Sequence, residues 1–149
     1  MANETDLKTV RVTIETPRWS FAKYALTENG GHIEFVSPLP CPFNYGFVKG
    51  TIGGDGLPLD AIVFGTRLHR GQEIELPVVA VVQFVDAGEQ DDKLVCSATG
   101  LSSLNLVLLK VGFRIYVVMK RVVNFLKKKH RPTQYRGVSP RGSQIAETK

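Results

Sequence analysis

Asn44 to Asp60 reads NYGFVKGTIGGDGLPLD. Tyr45 stands in an expected turn, Asn44-Tyr45-Gly46, followed by a short extended run, Phe47-Val48. A glycine-rich turn then presents Asp55, and Asp60 opens an apolar strand, Ala61-Ile62-Val63-Phe64. Asp55 and Asp60 bracket Gly56 and Pro58, which shape the backbone between them. Two carboxylates so placed offer the oxygen ligands that Mg²⁺ and Ca²⁺ prefer. Asp and Gly are also ordinary turn residues, so this pattern alone does not choose between a solvated turn and a cation site.

A second stretch narrows the choice. Val78 to Asp86 (VVAVVQFVD) is a β-branched run with one polar interruption, the pattern of a buried strand. Asp86 ends it, and Asp91 follows at the spacing that separates Asp55 from Asp60. Lys93 then precedes a new apolar run, Leu94-Val95-Cys96. Carboxylates at the ends of two strands can converge on cations, with Lys93 to hold an anion that the cations bind. That constellation suits metal-assisted hydrolysis of a phosphate compound.

Here the chain resembles the family I (soluble) inorganic pyrophosphatases. Asp55-Gly56-Leu57-Pro58-Leu59-Asp60 stands where that family carries Asp-Gly-Asp-Pro-x-Asp. The likeness continues through Pro42-x-Asn44-Tyr45-Gly46, the acidic loop Asp86 to Lys93, Ile14-Glu15-Thr16-Pro17 and Lys23-Tyr24, and so spans roughly Val10 to Ala98. The resemblance implies an α+β, mainly β fold: a five-stranded barrel of the OB type with a C-terminal helix. It implies an inorganic diphosphatase that splits pyrophosphate into two phosphates with Mg²⁺-activated water. Asp55, Asp60, Asp86 and Asp91 are then the metal ligands, Asp60, Lys23, Tyr45 and Lys93 the catalytic set, and Lys23, Tyr45, Lys93 and Glu15 the substrate contacts. A homo-oligomer, a hexamer by the habit of bacterial members, is expected.

Three departures bear on turnover. Leu57 occupies the place of the family's general-base acid, and leucine accepts no proton; general-base assistance contributes about 10²–10⁴-fold. Ala25 stands where a further acid is usual, and no Lys or Arg lies between Lys23 and Lys49, where the family has an arginine. Lys49 is a candidate substitute. The family's Tyr-Lys pair on the C-terminal helix has no clear match, with Lys127 to Lys129 as candidates. Leu57, Ala25 and the missing arginine motivate an alternative: a pyrophosphatase-like protein that binds metal and phosphate without efficient turnover.

A chain of 149 residues is one domain by length and buries a real core. The polar, acidic N-terminus has no signal-peptide pattern, and no apolar run reaches a membrane span. Cys41 and Cys96 lie far apart with no metal spacing, as in a reduced, cytoplasmic protein. The net charge of +5 divides unevenly: Lys120 to Lys149 holds nine Lys/Arg and one acid, while the first 119 residues hold ten and thirteen. A basic tail can bind nucleic acid or acidic lipid. An OB-type nucleic-acid face, however, expects aromatic residues interleaved with basic ones; that pattern is not visible, and the acidic cluster would repel a phosphate backbone. Neither a nucleic-acid nor a membrane partner is expected.

Three segments follow in order. Residues 1–102 are expected to form the barrel, after a polar lead at Met1–Lys8, with Val10, Val12 and Ile14 alternating against Arg11, Thr13 and Glu15 as a half-buried strand. Residues 103–131 carry an apolar seam, Leu104, Leu108, Val111, Ile115, Val118, Val122 and Phe125, at helical spacing, with Ser102 or Ser103 as cap. This helix packs on the barrel or a partner subunit. Residues 132–149, rich in Pro, Gly, Ser and Arg, are expected to be a disordered basic tail.

Overall fold

Strand patterning predominates, and the strands close on themselves. β1 (Thr9–Thr16), β4 (Asn44–Val48), β5 (Asp60–Val63), β8 (Lys93–Cys96) and β6 (Glu73–Asp86) pair in that order. β1 also pairs with β6, from Thr9↔Pro77 to Thr13↔Glu73, so the path becomes a ring: a five-stranded barrel. All its pairings are antiparallel except β5–β8. Outside the ring, β2 (Ala22–Thr27) and β3 (Gly30–Val36) form a separate hairpin, and β7 (Glu89–Gln90) folds back on the end of β6. This computed structural model describes residues 9–27, 30–37, 39–53 and 56–140. The expected lead Met1–Lys8, turn residues Glu28 and Asn29, Asp55 and residues 141–149 lie outside the described residues.

Two apolar clusters explain why β5 and β6 read as continuous apolar runs rather than alternating ones. All five ring strands feed the first, with Val12, Ile14, Val48, Val63, Val78 and Cys96 among its members. This is the barrel interior. The second lies between the outer wall and a helix, α1 (Ser103–Leu126), and gathers Tyr45, Ile62, Phe64, Val82, Phe84 and Val95 with Leu109, Phe113 and Val117. Leu76 and Val78 of β6 point inward, yet Ala80, Val82 and Phe84 face α1. A register shift between Val78 and Ala80 accounts for this, because one inserted residue exchanges the two faces of a strand.

Three sequence expectations need correction. Tyr45 does not sit in a turn; Asn44–Val48 is β4, paired on both sides. The expected disorder from residue 132 fails for Gln134–Pro140, which forms β9 along β6. Tyr135 and Val138 hold it there by packing on the second cluster, two apolar side chains that a Gly/Arg/Ser-rich composition hid. The third concerns α1. Ser102 caps it as expected, accepting from the Asn105 N–H at 3.1 Å. The buried stripe, however, is Leu109, Phe113 and Val117. Most of the expected seam faces outward: Val111, Val118, Val122 and Phe125 are 52%, 57%, 55% and 74% exposed. The helix is apolar nearly all round, so periodicity could not choose a face. Aromatic packing chose it: Phe113 stacks on Phe43 and Tyr135, each at 6.0 Å between ring centres, and such pairs add about 0.5–1.5 kcal/mol beyond burial.

Candidate functional site

Each residue of Asn44-Tyr45-Gly46 has its own task. The buried Asn44 amide ties three segments together: its Oδ1 accepts from the Arg18 and Leu68 N–H groups at 2.9 Å, and its Nδ2 donates to the Val63 and Thr66 carbonyls. Tyr45 projects toward α1 and donates its phenol to Asp60 Oδ2 at 2.9 Å. Gly46 permits a close approach of β4 to β1, since a Cβ there would meet the Thr13 carbonyl oxygen at 2.0 Å. Beside it, β1 shifts register between Ile14 and Thr16, leaving Glu15 as the extra residue of a bulge. Bulges re-aim side chains. Glu15 Oε2 accepts from the Leu26 N–H at 2.7 Å. Burial, reinforced by the Asp60 charge, outweighs that hydrogen bond and raises its pKa.

The centre of the site is Lys93, 1% exposed. Its ammonium donates to Asp60 Oδ2 at 2.5 Å and to Asp91 Oδ2 at 2.7 Å. In-register pairing of parallel β5 and β8 sets Asp60 opposite Lys93. Burial works against ionisation of both groups, but each charge stabilises the other. Asp60 is held below the usual carboxylate range, and Lys93 above the usual ammonium value. Burial and then the Asp60 carboxylate keep the Tyr45 phenol protonated. Lys23 of β2 reaches the same cluster: its Nζ lies 4.8 Å over the Tyr45 ring and 3.4 Å from the Tyr116 hydroxyl, and it pairs with Glu34 at 3.3 Å. Burial would lower its pKa, yet the Tyr116, Glu34 and Asp60 oxygens prevail and raise it.

Asp86, at the end of β6, is held from α1. Lys120 Nζ lies 3.0 Å from its Oδ2, and Asn124 Nδ2 donates to its Oδ1 at 2.8 Å. Burial opposes ionisation, but these hydrogen bonds win and keep its pKa below the ordinary value. Asp86 and Asp91 line one cleft of about 460 Å³ with Leu57, Glu89, Lys129, His130 and Arg131. Leu57 therefore stands on the wall of this cleft and is 63% exposed.

The fold thus gathers Glu15, Lys23, Tyr45, Asp60, Asp91 and Lys93, and sets Asp86 in the cleft with Asp91; Asp55 lies outside the described residues. Lys49 does not join them, because it pairs with Glu73 on the exposed side of the barrel. Of Lys127 to Lys129, only Lys129 lines the cleft. Sequence reasoning missed Glu34, Tyr116, Lys120 and Asn124. The last three recur every fourth residue on α1, a polar row beside the buried row of 109, 113 and 117; that row was the available signal. Glu34 is the extra residue of a register shift between β2 and β3, which no pattern announces. Among the described residues, no group of three or more His, Cys, Asp or Glu side chains forms a ready metal cage. Asp86, Glu89 and Asp91 nonetheless bring carboxylate oxygens to the cleft beside Lys129, His130 and Arg131, and such oxygens fit a hard divalent cation.

The family model for inorganic pyrophosphatase matches residues 12–135. The inorganic pyrophosphatase of Streptomyces coelicolor is 37% identical over 90 residues, 57% of this chain and 55% of that protein. That of Sulfolobus acidocaldarius is 34% identical over 91 residues, 58% and 53% of the two chains. The chain spans about half the length of the curated relatives it matches. Among solved structures, the inorganic phosphatase of Anaplasma phagocytophilum superposes with a TM-score of 0.75 at 22% identity, covering 99% of this chain and 98% of that one. The inorganic pyrophosphatase of Thermus thermophilus gives 0.74 at 21%, covering 98% and 90%. At such identity these superpositions speak for the fold. With the family match over most of its length, and the barrel it shares with those structures, the chain belongs to the inorganic pyrophosphatase family.

Proposed function

We propose that the chain hydrolyses inorganic pyrophosphate: water adds to one phosphorus, the bridging P–O bond breaks, and two phosphates leave. The observation that carries this reading is the buried Lys93 ammonium between Asp60 and Asp91, beside the cleft that Asp86 also lines. A site for a cation-complexed polyanion needs interleaved charge of this kind. Asp60, Asp86 and Asp91, with Asp55, would hold Mg²⁺. When bound, Mg²⁺ neutralises phosphoryl charge and lowers the pKa of water it binds.

The chain's own groups do the rest. Lys23 and Lys93 present ammonium groups to the phosphoryl oxygens, and Tyr45 presents a phenol that burial keeps protonated. Asp60 orients both Tyr45 and Lys93 through one oxygen. Glu15 lies within electrostatic reach of Asp60 and Lys23. Leu57 supplies no proton acceptor. The comparisons lend nothing to the alternative of a chain that binds without turnover. Phosphate release from pyrophosphate with Mg²⁺, abolished by a chelator and restored by excess Mg²⁺, is the expected result. Release unaffected by the chelator would refute the metal assignment.

The partner read from α1 is a second copy of the chain. Leu104, Val107, Val111, Val118, Val122 and Phe125 expose one apolar face of the helix, and patches of this kind mark interaction surfaces. A homo-oligomer, in this family's context a hexamer, would cover it. No helix among the described residues is long and apolar enough to cross a membrane; a cytoplasmic enzyme acting on free pyrophosphate is the setting proposed.

A further inference from the structure

We propose that Asn124 is the positioning residue that presents Asp86 to a divalent cation, and that Thr133 fixes Asn124 in turn. The inference rests on the cation-dependent reading above and assigns a role to residues that reading does not use. Asn124 is 4% exposed near the end of α1. A carboxamide nitrogen has two hydrogens, and both are spent here. One goes to Asp86 Oδ1 at 2.8 Å and the other to Thr133 Oγ1 at 2.9 Å. Thr133, 5% exposed, also accepts from the Ala87 N–H at 3.0 Å. The residue after Asp86 is therefore pinned by the same hydroxyl that pins Asn124. The Gly88 N–H donates to the Pro132 carbonyl at 2.8 Å and completes the clamp.

The two groups that hold Asp86 differ in kind. Lys120 carries a positive charge at Oδ2, so it competes with any cation for that oxygen. Asn124 is neutral and occupies Oδ1, so it keeps its hold while Oδ2 changes partner. If Asp86 rotated away, a buried amide donor would be left unsatisfied, at about 1–3 kcal/mol; that penalty selects one carboxylate orientation. Outer groups that orient metal ligands typically govern affinity by about 10–100-fold.

The test is calorimetric titration of the full chain with Mg²⁺ in the absence of substrate, comparing wild type, Asn124→Leu, Asn124→Ser and Thr133→Val, with phosphate release from pyrophosphate measured alongside. Asn124→Leu keeps the volume and removes the donors, and should weaken Mg²⁺ binding by about 10–100-fold. Thr133→Val, acting through Asn124, should weaken it less. Asn124→Ser is the readout if the leucine variant does not fold, with an intermediate loss expected. Folded variants that bind Mg²⁺ like wild type, with only a lowered melting temperature, overturn the inference and leave Asn124 a packing residue. A wild type that binds no Mg²⁺ overturns the cation-dependent reading and this inference with it. A wild type that binds Mg²⁺ without releasing phosphate overturns the activity alone, and the variant affinities still decide the role of Asn124.

Discussion

Replacing Lys93 by methionine removes the one charge that lies between Asp60 and Asp91 while nearly preserving side-chain volume. Lys93 is 1% exposed, and the side chains of Asp60 and Asp91 are 26% and 16% exposed, so solvent screens the group weakly. Removing one partner of a buried pair typically costs about 3–5 kcal/mol, because the remaining charge stays uncompensated. At about 2–4 °C per kcal/mol for a chain of this size, the melting temperature should fall by about 6–20 °C. The loss should also depend on pH. Asp60 is depressed in the folded protein below its ordinary 3.8, so its contribution is present above that value and lost as pH falls through the folded pKa. Lys93 is raised above its ordinary 10.5, so its contribution is present below that value and lost as pH rises through the folded pKa. The difference between wild type and variant should therefore be widest between about pH 4 and 10. Mg²⁺ should narrow it. A ligand at a hundred times its Kd adds about 2.7 kcal/mol, and the variant, in which no Lys93 ammonium competes for Asp60 and Asp91, should gain more than wild type. Differential scanning fluorimetry across pH, with and without Mg²⁺, reads all three. A fall under about 2 °C would refute the buried-cluster argument, and a smaller Mg²⁺ gain in the variant would refute the carboxylates as cation ligands.

Other outcomes follow from single contacts. Glu15→Gln keeps an acceptor for the Leu26 N–H but removes a carboxylate whose pKa burial raises above 4.5. The folded state of wild type disfavours that charge, so the variant should be the more stable protein at pH 7, with the advantage vanishing below pH 4.5 in acid-shifted melts. Gly46→Ala drives a Cβ to 2.0 Å from the Thr13 carbonyl oxygen. Backbone cannot yield as a side-chain tip can, so urea unfolding should show a loss at or beyond the top of the usual overpacking range of about 1–3 kcal/mol. Val111→Glu combined with Val118→Glu places two charges on the exposed stripe of α1; sedimentation should show a smaller assembly than wild type with an unchanged circular dichroism spectrum.

Much of the barrel side of the site was legible because strands carry their contacts in register. Asp60 and Lys93 open adjacent apolar runs, and in-register pairing of those runs set them opposite each other. Lys23 and Glu15 came from family motifs rather than from spacing, because a hairpin and a bulge bring them in. α1 resisted reading for a different reason. With apolar residues around most of its circumference, its inward face was set by aromatic neighbours at Phe43 just before β4, on β6 and on β9, segments distant in sequence. Its polar row, Tyr116, Lys120 and Asn124, acquires meaning only once Lys23, Asp86 and Thr133 lie against it. β9 escaped because its strand character lies in two apolar side chains amid residues that usually mark disorder.

Hydrolysis at this site is read by the rate of phosphate release from pyrophosphate with Mg²⁺ by wild type, Asp60→Asn and Leu57→Asp, each first confirmed to be folded. Wild type should release phosphate and Asp60→Asn should lose most of that rate, because Asp60 orients both Tyr45 and Lys93. Leu57→Asp should gain up to about 10²-fold, the lower range for a positioned general base, because position 57 lines the cleft with Asp86 and Asp91. No release by folded wild type, or release that survives Asp60→Asn undiminished, would contradict pyrophosphate hydrolysis at this site.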